Sequence, residues 1–252
     1  MEKYKLSPEF SNFKEDLFNI KEIFSKNDNS IHQARNVLKV IPMNGLDVVV
    51  KAFRIPNAIN QFAYAYIRKS KAYKSYFNAV KLKELGVNTP EPIGFIEFYR
   101  NGFFKESYFL SKKFDYELTM ADIRDNPPAD KDAILKAFVT FTYDLHQKGV
   151  WHVDYSGGNI LINRKADGYD FSLVDINRME FKTISAYEGL ENFNKFWFNE
   201  KDLTSIAKEY ALLANLEEER SVNEIINHDK KLKEHVLRRR KIKSLLKSNK
   251  KH

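Results

Sequence analysis

A polar loop between two apolar elements limits how this chain can fold. Residues 149–163, GVWHVDYSGGNILIN, hold a histidine, an aspartate and, five residues after that aspartate, an asparagine. Apolar residues before the loop recur at helical spacing, and the segments NILIN, RKADG and YDFSLV that begin in the loop indicate a strand, a turn and a second strand. A buried helix and a hairpin would hold the loop on both sides, which suits a catalytic site.

The predicted hairpin returns the chain toward the loop. Asn159 enters its first strand and Asp175 leaves its second, so we expect both side chains to converge with Asp154. All three offer hard oxygen ligands, the type that Mg²⁺ prefers. Two oxygens on a metal and one free carboxylate match phosphoryl transfer, in which the carboxylate orients a hydroxyl and accepts its proton. The loop therefore predicts a phosphoryl-transfer reaction.

The chain ahead of the loop is expected to be rich in strands. Ser7 and Pro8 predict the start of a helix whose apolar stripe spans residues 10–24. The runs NVLKVIPM and LDVVVKAF flank Asn44-Gly45, a pair that favours a hairpin because both positions accept positive φ. Lys51 lies in the second run, on a sheet separate from the later hairpin, where a lysine can grip nucleotide phosphates.

The remaining pattern predicts a helix over residues 58–85, two further strands, and mainly helices after Asn126-Pro127-Pro128. The 252 residues are 43% hydrophobic, enough for one large domain or two small lobes, and we predict an α+β chain in two lobes. Without cysteine there is no disulfide framework and no thiolate metal site. No signal peptide or membrane span is recognisable, so we expect a soluble, cytoplasmic protein.

Positive charge is concentrated in two segments. Residues 228–252 carry 11 Lys and Arg against two acids, which fits either a solvated basic helix or a surface for the anionic inner leaflet. Arg68, Lys69, Lys71 and Lys74 lie among tyrosines, which fits either core packing with exposed cations or a membrane-interface surface. We do not expect nucleic-acid binding, because the chain outside residues 228–252 is nearly neutral and holds no recognition module.

Several segments resemble a known family. LHQKGVWHVDYSGGNILI with FSLVDIN is similar to the catalytic and metal-binding segments of the eukaryotic-like protein-kinase fold, H-x-D-x-x-x-x-N followed by a strand that ends in Asp. More narrowly, HVDYSGGNILIN with FSLVDINRM, ARNVLKV with VVVKAF, and KELGVNTPEPIGFIE resemble the lipopolysaccharide-core kinases. These enzymes phosphorylate 3-deoxy-D-manno-octulosonic acid (Kdo) or heptose in the inner core. The resemblance runs from about Ile31 to about Trp197.

The resemblance implies a two-lobed, protein-kinase-like fold. Residues 1–113 would form an N-lobe with an N-terminal helix, a nucleotide-binding sheet and helix C, residues 114–227 a helical C-lobe, and residues 228–252 a basic tail. It implies an ATP- and Mg²⁺-dependent kinase that phosphorylates a hydroxyl of a lipid-linked Kdo or heptose. Such an enzyme would work in the cytoplasm, peripherally on the inner face of the inner membrane.

Matched position by position, the resemblance makes Asp154 the catalytic base and His152 a residue that props the loop. Asn159 and Asp175 become the Mg²⁺ ligands, and Lys51 the lysine that grips the ATP phosphates.

The chain also departs from the protein-kinase pattern. No G-x-G-x-x-G precedes Lys51, Ile176-Asn177 replaces the usual Phe-Gly after the metal aspartate, and Val153 replaces an Arg. Phe77 stands where related sequences place the glutamate partner of the lysine, which leaves another acid, altered nucleotide binding or an impaired enzyme as explanations. The alternatives to a core-sugar kinase are a kinase for proteins or for another small molecule such as an aminoglycoside, and a pseudokinase.

Overall fold

The computed structural model describes residues 1–28, 30–33, 36–53, 61, 63–64 and 66–248. Contacts within the chain divide it into two compact units. The first unit comprises Met1–Asp115 and Ser172–Arg178, and the second comprises Tyr116–Phe171 and Met179–His252.

An antiparallel sheet of six strands dominates the first unit, in the order β1-β5-β6-β4-β3-β2. The strands are β1 (Glu2–Leu6), β2 (Ser30–Gln33), β3 (Asn36–Met43), β4 (Leu46–Phe53), β5 (Pro92–Arg100) and β6 (Phe103–Lys112). The predicted hairpin of β3 and β4 is confirmed, with Asn44 and Gly45 at φ 48° and 76°. This hairpin places Lys51 on a central strand, between β3 and β6.

Strand β1 has no counterpart among the sequence predictions. EKYKL is polar at most positions, so its pairing with β5 depends on residues far along the chain. Gly94 on β5 permits the approach, since a Cβ there would lie 2.6 Å from the carbonyl oxygen of Lys5. Its lysines suit an edge strand, because charged side chains hinder pairing with further strands.

The predicted N-terminal helix is broken into a 3₁₀ helix (Pro8–Phe13), α1 (Lys14–Phe18) and α2 (Ile20–Lys26). Ser7 does not cap it through its side chain, because its hydroxyl donates to the carbonyl oxygen of Pro92, 2.6 Å away. The apolar stripe is nevertheless buried as expected, with Phe13, Leu17 and Ile20 packed in the core against the sheet.

Helix α3 (Lys71–Glu84) completes the first unit and begins at Ser70, whose hydroxyl accepts from the Tyr73 N–H. The helix was predicted to start at Ala58. Residues 58–60, 62 and 65 of that prediction lie outside the described part of the chain.

The second unit is mainly helical. Its helices are α4 (Met120–Asp125), α5 (Lys131–Gln147), α6 (Ala186–Glu191), α7 (Glu200–Ala214) and α8 (Glu218–Ser248), with a 3₁₀ helix at Asn192–Phe196. Strands β7 (Leu118–Thr119), β9 (Ile160–Lys165) and β10 (Gly168–Leu173) form one sheet, and β8 (Val150–His152) pairs with β11 (Met179–Phe181). The helix, loop and hairpin predicted around residues 149–163 are thus confirmed.

The basic C-terminal segment is helical. Residues 228–248 continue α8 as its C-terminal part, with Leu237 and Ile242 exposed. Within the described ranges, no helix combines the length and the apolar character that a membrane crossing demands.

Candidate active site

Lys51 and Asp175 form an ion pair in the first unit. Lys51 Nζ lies 2.5 Å from Asp175 Oδ1, and the lysine side chain is only 12% exposed. Asn177 Nδ2 donates to the same carboxylate oxygen at 2.5 Å. Asp175 has φ 53°, which is uncommon for a residue other than glycine and marks local backbone strain. The carboxylate that follows the hairpin is therefore held in one position from two sides.

Phe77 contacts other aromatic rings in the first unit. Its ring packs on Tyr73, Tyr76 and Phe95, with centroid distances of 4.3, 5.2 and 6.1 Å. The next residue, Asn78, donates to the carbonyl oxygen of Ile176 at 2.7 Å, so α3 contacts the segment after Asp175 through an amide. One explanation left open for Phe77 is that another acid takes the place of the glutamate that pairs with Lys51. Asp175 is a candidate for that acid.

The candidate catalytic loop lies in the second unit, and His152 supports it from within. The His152 side chain is buried, and its Nδ1 accepts from the backbone N–H of Asp154 at 3.1 Å. Its carbonyl oxygen accepts from the Tyr155 N–H and from Asn192 Nδ2, at 3.1 and 3.2 Å. These bonds hold the backbone on both sides of Asp154.

Asn159 closes the loop from its other end. Its Nδ2 donates to the carbonyl oxygen of Asp154 at 2.9 Å and to Ser156 Oγ at 3.3 Å. Gly157 lies against α4, where a Cβ would come within 2.7 Å of the Ala121 nitrogen, whereas a Cβ on Gly158 would meet nothing within 4 Å. The first glycine is thus required by packing and the second is not.

Two residues that the sequence did not single out reach the loop from the 3₁₀ helix at Asn192–Phe196. Lys195 donates to the carbonyl oxygen of Val153, and its Nζ lies 3.8 Å from Asp154 Oδ1. Asn192 bonds the carbonyl oxygen of His152. No local pattern marks either residue, since they act on backbone about 40 positions earlier. The one signal in the sequence is that the segment DYSGGN contains no lysine or arginine that could pair with Asp154.

Asn192 belongs to a hydrogen-bond network of uncharged side chains with His146 and Tyr210. Burial lowers the pKa of His146 to about 4, so the ring is uncharged at neutral pH. Its Nε2 lies 3.2 Å from Asn192 Oδ1, which can only accept, and its Nδ1 lies 2.8 Å from the Tyr210 hydroxyl. The ring therefore donates to Asn192 and accepts from Tyr210. The His146 side chain is itself buried.

The structure thus brings Lys51 together with Asp175, and Asp154 together with His152 and Asn159. The expected convergence of Asp154, Asn159 and Asp175 joins residues of both units and stays a prediction. Among the described residues, no group of three or more His, Cys, Asp or Glu side chains is arranged to hold a metal ion. Asp175 offers a carboxylate and Asn159 an amide oxygen, and both are donor types that suit a hard divalent cation.

Comparison with protein families identifies the chain. The model of the lipopolysaccharide kinase (Kdo/WaaP) family matches residues 60–225. The chain belongs to this family. The resemblance inferred from the sequence is thereby confirmed, and membership identifies a phosphotransferase with a hydroxyl acceptor. It also implies use of ATP and, typically, of a divalent metal.

Solved structures agree on the fold. "WaaP in complex with acyl carrier protein" is 16% identical with a TM-score of 0.56, over 88% of this chain and 99% of that chain. An aminoglycoside-3'-phosphotransferase of type VIII is 10% identical with a TM-score of 0.52, over 85% of this chain and 98% of that chain. Both likenesses confirm the predicted kinase-like fold. No curated protein sequence matches the chain.

Proposed function

We propose that this member of the family transfers the γ-phosphate of ATP to a hydroxyl of Kdo or heptose in the inner core of lipopolysaccharide. The observation that carries the proposal is the loop around Asp154. Its backbone is held by His152 and Asn159, and its carboxylate lies beside Lys195. A carboxylate fixed in this way suits a general base, which must keep one position relative to the hydroxyl whose proton it accepts.

The other residues take the remaining tasks in this proposal. Asn159 and Asp175 hold Mg²⁺, which bound with ATP would neutralise phosphate charge. Lys51 brings its own charge to the phosphates from β4, and the ion pair with Asp175 orients both side chains. His152 holds the loop through Nδ1 and its carbonyl oxygen. A missing helix-C glutamate then does not exclude activity, because Asp175 itself orients Lys51.

The acceptor in this proposal is lipid-linked, so the enzyme works at the inner face of the inner membrane. The C-terminal part of α8 provides one surface for it. Leu237 and Ile242 are 62% and 49% exposed there, on either side of four consecutive cations, Arg238–Lys241. Basic segments of this kind are attracted to anionic lipid.

Transfer of radiolabelled γ-phosphate tests the proposal. The reactions contain ATP and Mg²⁺ with Kdo-containing lipid A precursor, heptosylated core, an aminoglycoside or a protein mixture, and each is repeated with Asp154→Ala. Label in one glycolipid that disappears with Asp154→Ala is the expected result and names the sugar. Label only in protein or aminoglycoside replaces the acceptor, and no transfer together with no Mg²⁺-dependent nucleotide binding makes the chain a pseudokinase.

A further inference from the structure

A pocket of about 380 Å³ in the first unit has no part in the proposed chemistry. It is bounded by β1, β5, α3, Tyr64 and residues 66–69. Four cations line it, Lys3 and Lys5 from the edge strand and Arg68 and Lys69 from the segment before α3. Glu97 is the acid in the lining. The pocket therefore carries an excess of positive charge.

Glu97 does not neutralise these cations through a salt bridge. It is 5% exposed, and its Oε2 accepts from the Tyr99 hydroxyl at 2.7 Å. Lys3 and Lys69 lie over tyrosine rings, 4.8 Å from the centroid of Tyr99 and 4.6 Å from that of Tyr73. The ion pairs found among the described residues of this unit use other lysines. The four cations can thus meet an anion from outside.

Apolar groups stand at the rim of the same pocket. Tyr66 and Ile67 are 66% and 74% exposed, immediately before Arg68 and Lys69. Tyr73 by contrast packs on Phe77 and Phe95 inside the unit. The aromatic segment that the sequence left ambiguous is thus divided, with residues of α3 in the packing and residues 66–69 at the surface.

We propose that this pocket and its rim dock on a bilayer that contains anionic phospholipid. Lipid phosphates would meet the four cations, and Tyr66 and Ile67 would enter the head-group region, where tyrosine is favoured at a membrane surface. Charge complementarity selects this occupant, because the pocket offers cations beside exposed apolar groups, whereas a soluble anion would need only the cations. The residues of this surface belong to the first unit, whereas α8 belongs to the second.

Cosedimentation of the full chain with vesicles tests this inference. The vesicles contain phosphatidylcholine alone or with phosphatidylglycerol. Arg68→Ser/Lys69→Ser should weaken binding to the anionic vesicles about 30-fold, at roughly fivefold for each cation near the surface. Lys81→Ser/Lys83→Ser removes the same charge from α3, but from lysines already paired with Glu84 and Glu91, and should have little effect.

Further outcomes decide between surfaces. Tyr66→Ser/Ile67→Ser keeps the charge and should reduce the binding that survives high salt. If Arg68→Ser/Lys69→Ser and Lys81→Ser/Lys83→Ser weaken binding to the anionic vesicles equally, the effect is one of general charge and the inference is overturned. It also fails if replacing Arg238, Arg239 and Arg240 by serine abolishes binding while the Arg68/Lys69 variant binds normally.

A second inference rests on the proposed function and concerns Lys195. The 3₁₀ helix at Asn192–Phe196 has three residues per turn, so side chains three apart share a face. Asn192 and Lys195 both reach the loop, while Phe193 and Phe196 are both fully buried. The short helix is thus anchored by its rings and presents one amide and one cation to the loop. We infer that Lys195 is a positioning residue, which fixes the Asp154 carboxylate through its charge and through the Val153 carbonyl.

Steady-state kinetics with the glycolipid acceptor test this role. Lys195→Met should lower kcat about 100-fold, as expected for a misplaced catalytic group, with the KM for ATP and the melting temperature nearly unchanged. Lys195→Arg should restore most of kcat, since it keeps the charge. Lys208→Met, which removes a lysine paired with Glu218 in the same unit, is the control. Full activity of Lys195→Met beside an inactive Asp154→Ala defeats only this inference, whereas an active Asp154→Ala defeats the proposed function itself.

Discussion

The two halves of the candidate site are built on different principles. In the first unit, Lys51 and Asp175 hold each other by opposite charge, and Asp175 adopts a strained backbone conformation beside them. In the second unit, the loop around Asp154 is held mainly by neutral groups, His152, Asn159 and Asn192. A charged pair responds strongly to loss of either partner. A neutral network distributes its support over several weaker bonds.

The two halves of the site should respond differently to substitutions. Removal of Lys51 or Asp175 leaves an uncompensated charge that is partly shielded from water, which is costly. Removal of one supporting amide in the loop leaves the remaining bonds in place. We therefore expect changes to the reacting or charged groups to have larger effects than the loss of a single neutral group that supports the loop.

The largest effect is expected at Asp154. Asp154→Asn keeps the size of the side chain but cannot accept the hydroxyl proton, so kcat should fall about 1,000-fold. Far-UV circular dichroism and the melting temperature should match those of the unchanged protein, because the bonds that hold the loop use backbone atoms of Asp154. If the asparagine variant keeps kcat within a few fold, Asp154 is not the base.

The ion pair of the first unit gives the next largest effect. Lys51→Met and Asp175→Asn should each lower kcat/KM for ATP about 100-fold, because each removes a charged hydrogen bond and leaves its partner misplaced. If the two act as a unit, the double variant should be little worse than the poorer single one.

Lys112→Met provides a control for the pair, since it removes an exposed lysine from the neighbouring strand β6. Losses that simply multiply in the double variant would show that Lys51 and Asp175 act separately.

The sequence indicated the site residues that lie in local patterns more fully than those that reach the site through tertiary contacts. Lys51 and the segment from His152 to Asp175 lie in local patterns, apolar runs, a hairpin pair and a glycine-rich loop, that predicted their elements correctly. Asn192 and Lys195 act through tertiary contacts from a short 3₁₀ helix that has no periodic signal. Strand β1 escaped prediction for the same reason, since only its pairing with β5 makes EKYKL a strand.

The helix expected from Ser7 shows where a local rule is overridden. Ser followed by Pro favours a cap, but the Ser7 hydroxyl finds a buried carbonyl acceptor on β5. At Phe77, packing explains a residue that departs from the kinase pattern. Comparison of patterns drew attention to a missing glutamate, whereas the structure explains the phenylalanine by its packing on Tyr73 and Phe95.

A smaller effect should separate the two glycines of the loop. Gly157→Ala forces a methyl group toward the backbone of α4 and should destabilise the protein by about 2 kcal/mol. Gly158→Ala has open space and should leave stability within about 0.5 kcal/mol. Urea unfolding of both variants measures the difference. Equal values would mean that the contact between the loop and α4 does not constrain the loop.

The smallest effect is expected from the neutral network, and it depends on pH. Burial lowers the pKa of His146 from 6.5 to about 4, so the unfolded chain binds a proton before the folded one does as the pH falls. The stability contributed by neutral His146 is therefore complete above about pH 6.5 and is lost progressively as the pH falls toward 4. At about pH 5.5 the loss should be on the order of 1 kcal/mol, measured as the change in free energy of unfolding in urea.

His146→Gln should flatten this part of the pH dependence, because glutamine keeps hydrogen-bonding groups near Asn192 and Tyr210 without titrating. His235→Gln changes an exposed histidine of α8 and should leave the pH dependence as it is. An unchanged slope in His146→Gln would mean that the network does not hold its histidine neutral. The network around Asn192 would then not depend on an uncharged histidine, and its contrast with the ion pair of Lys51 and Asp175 would not hold.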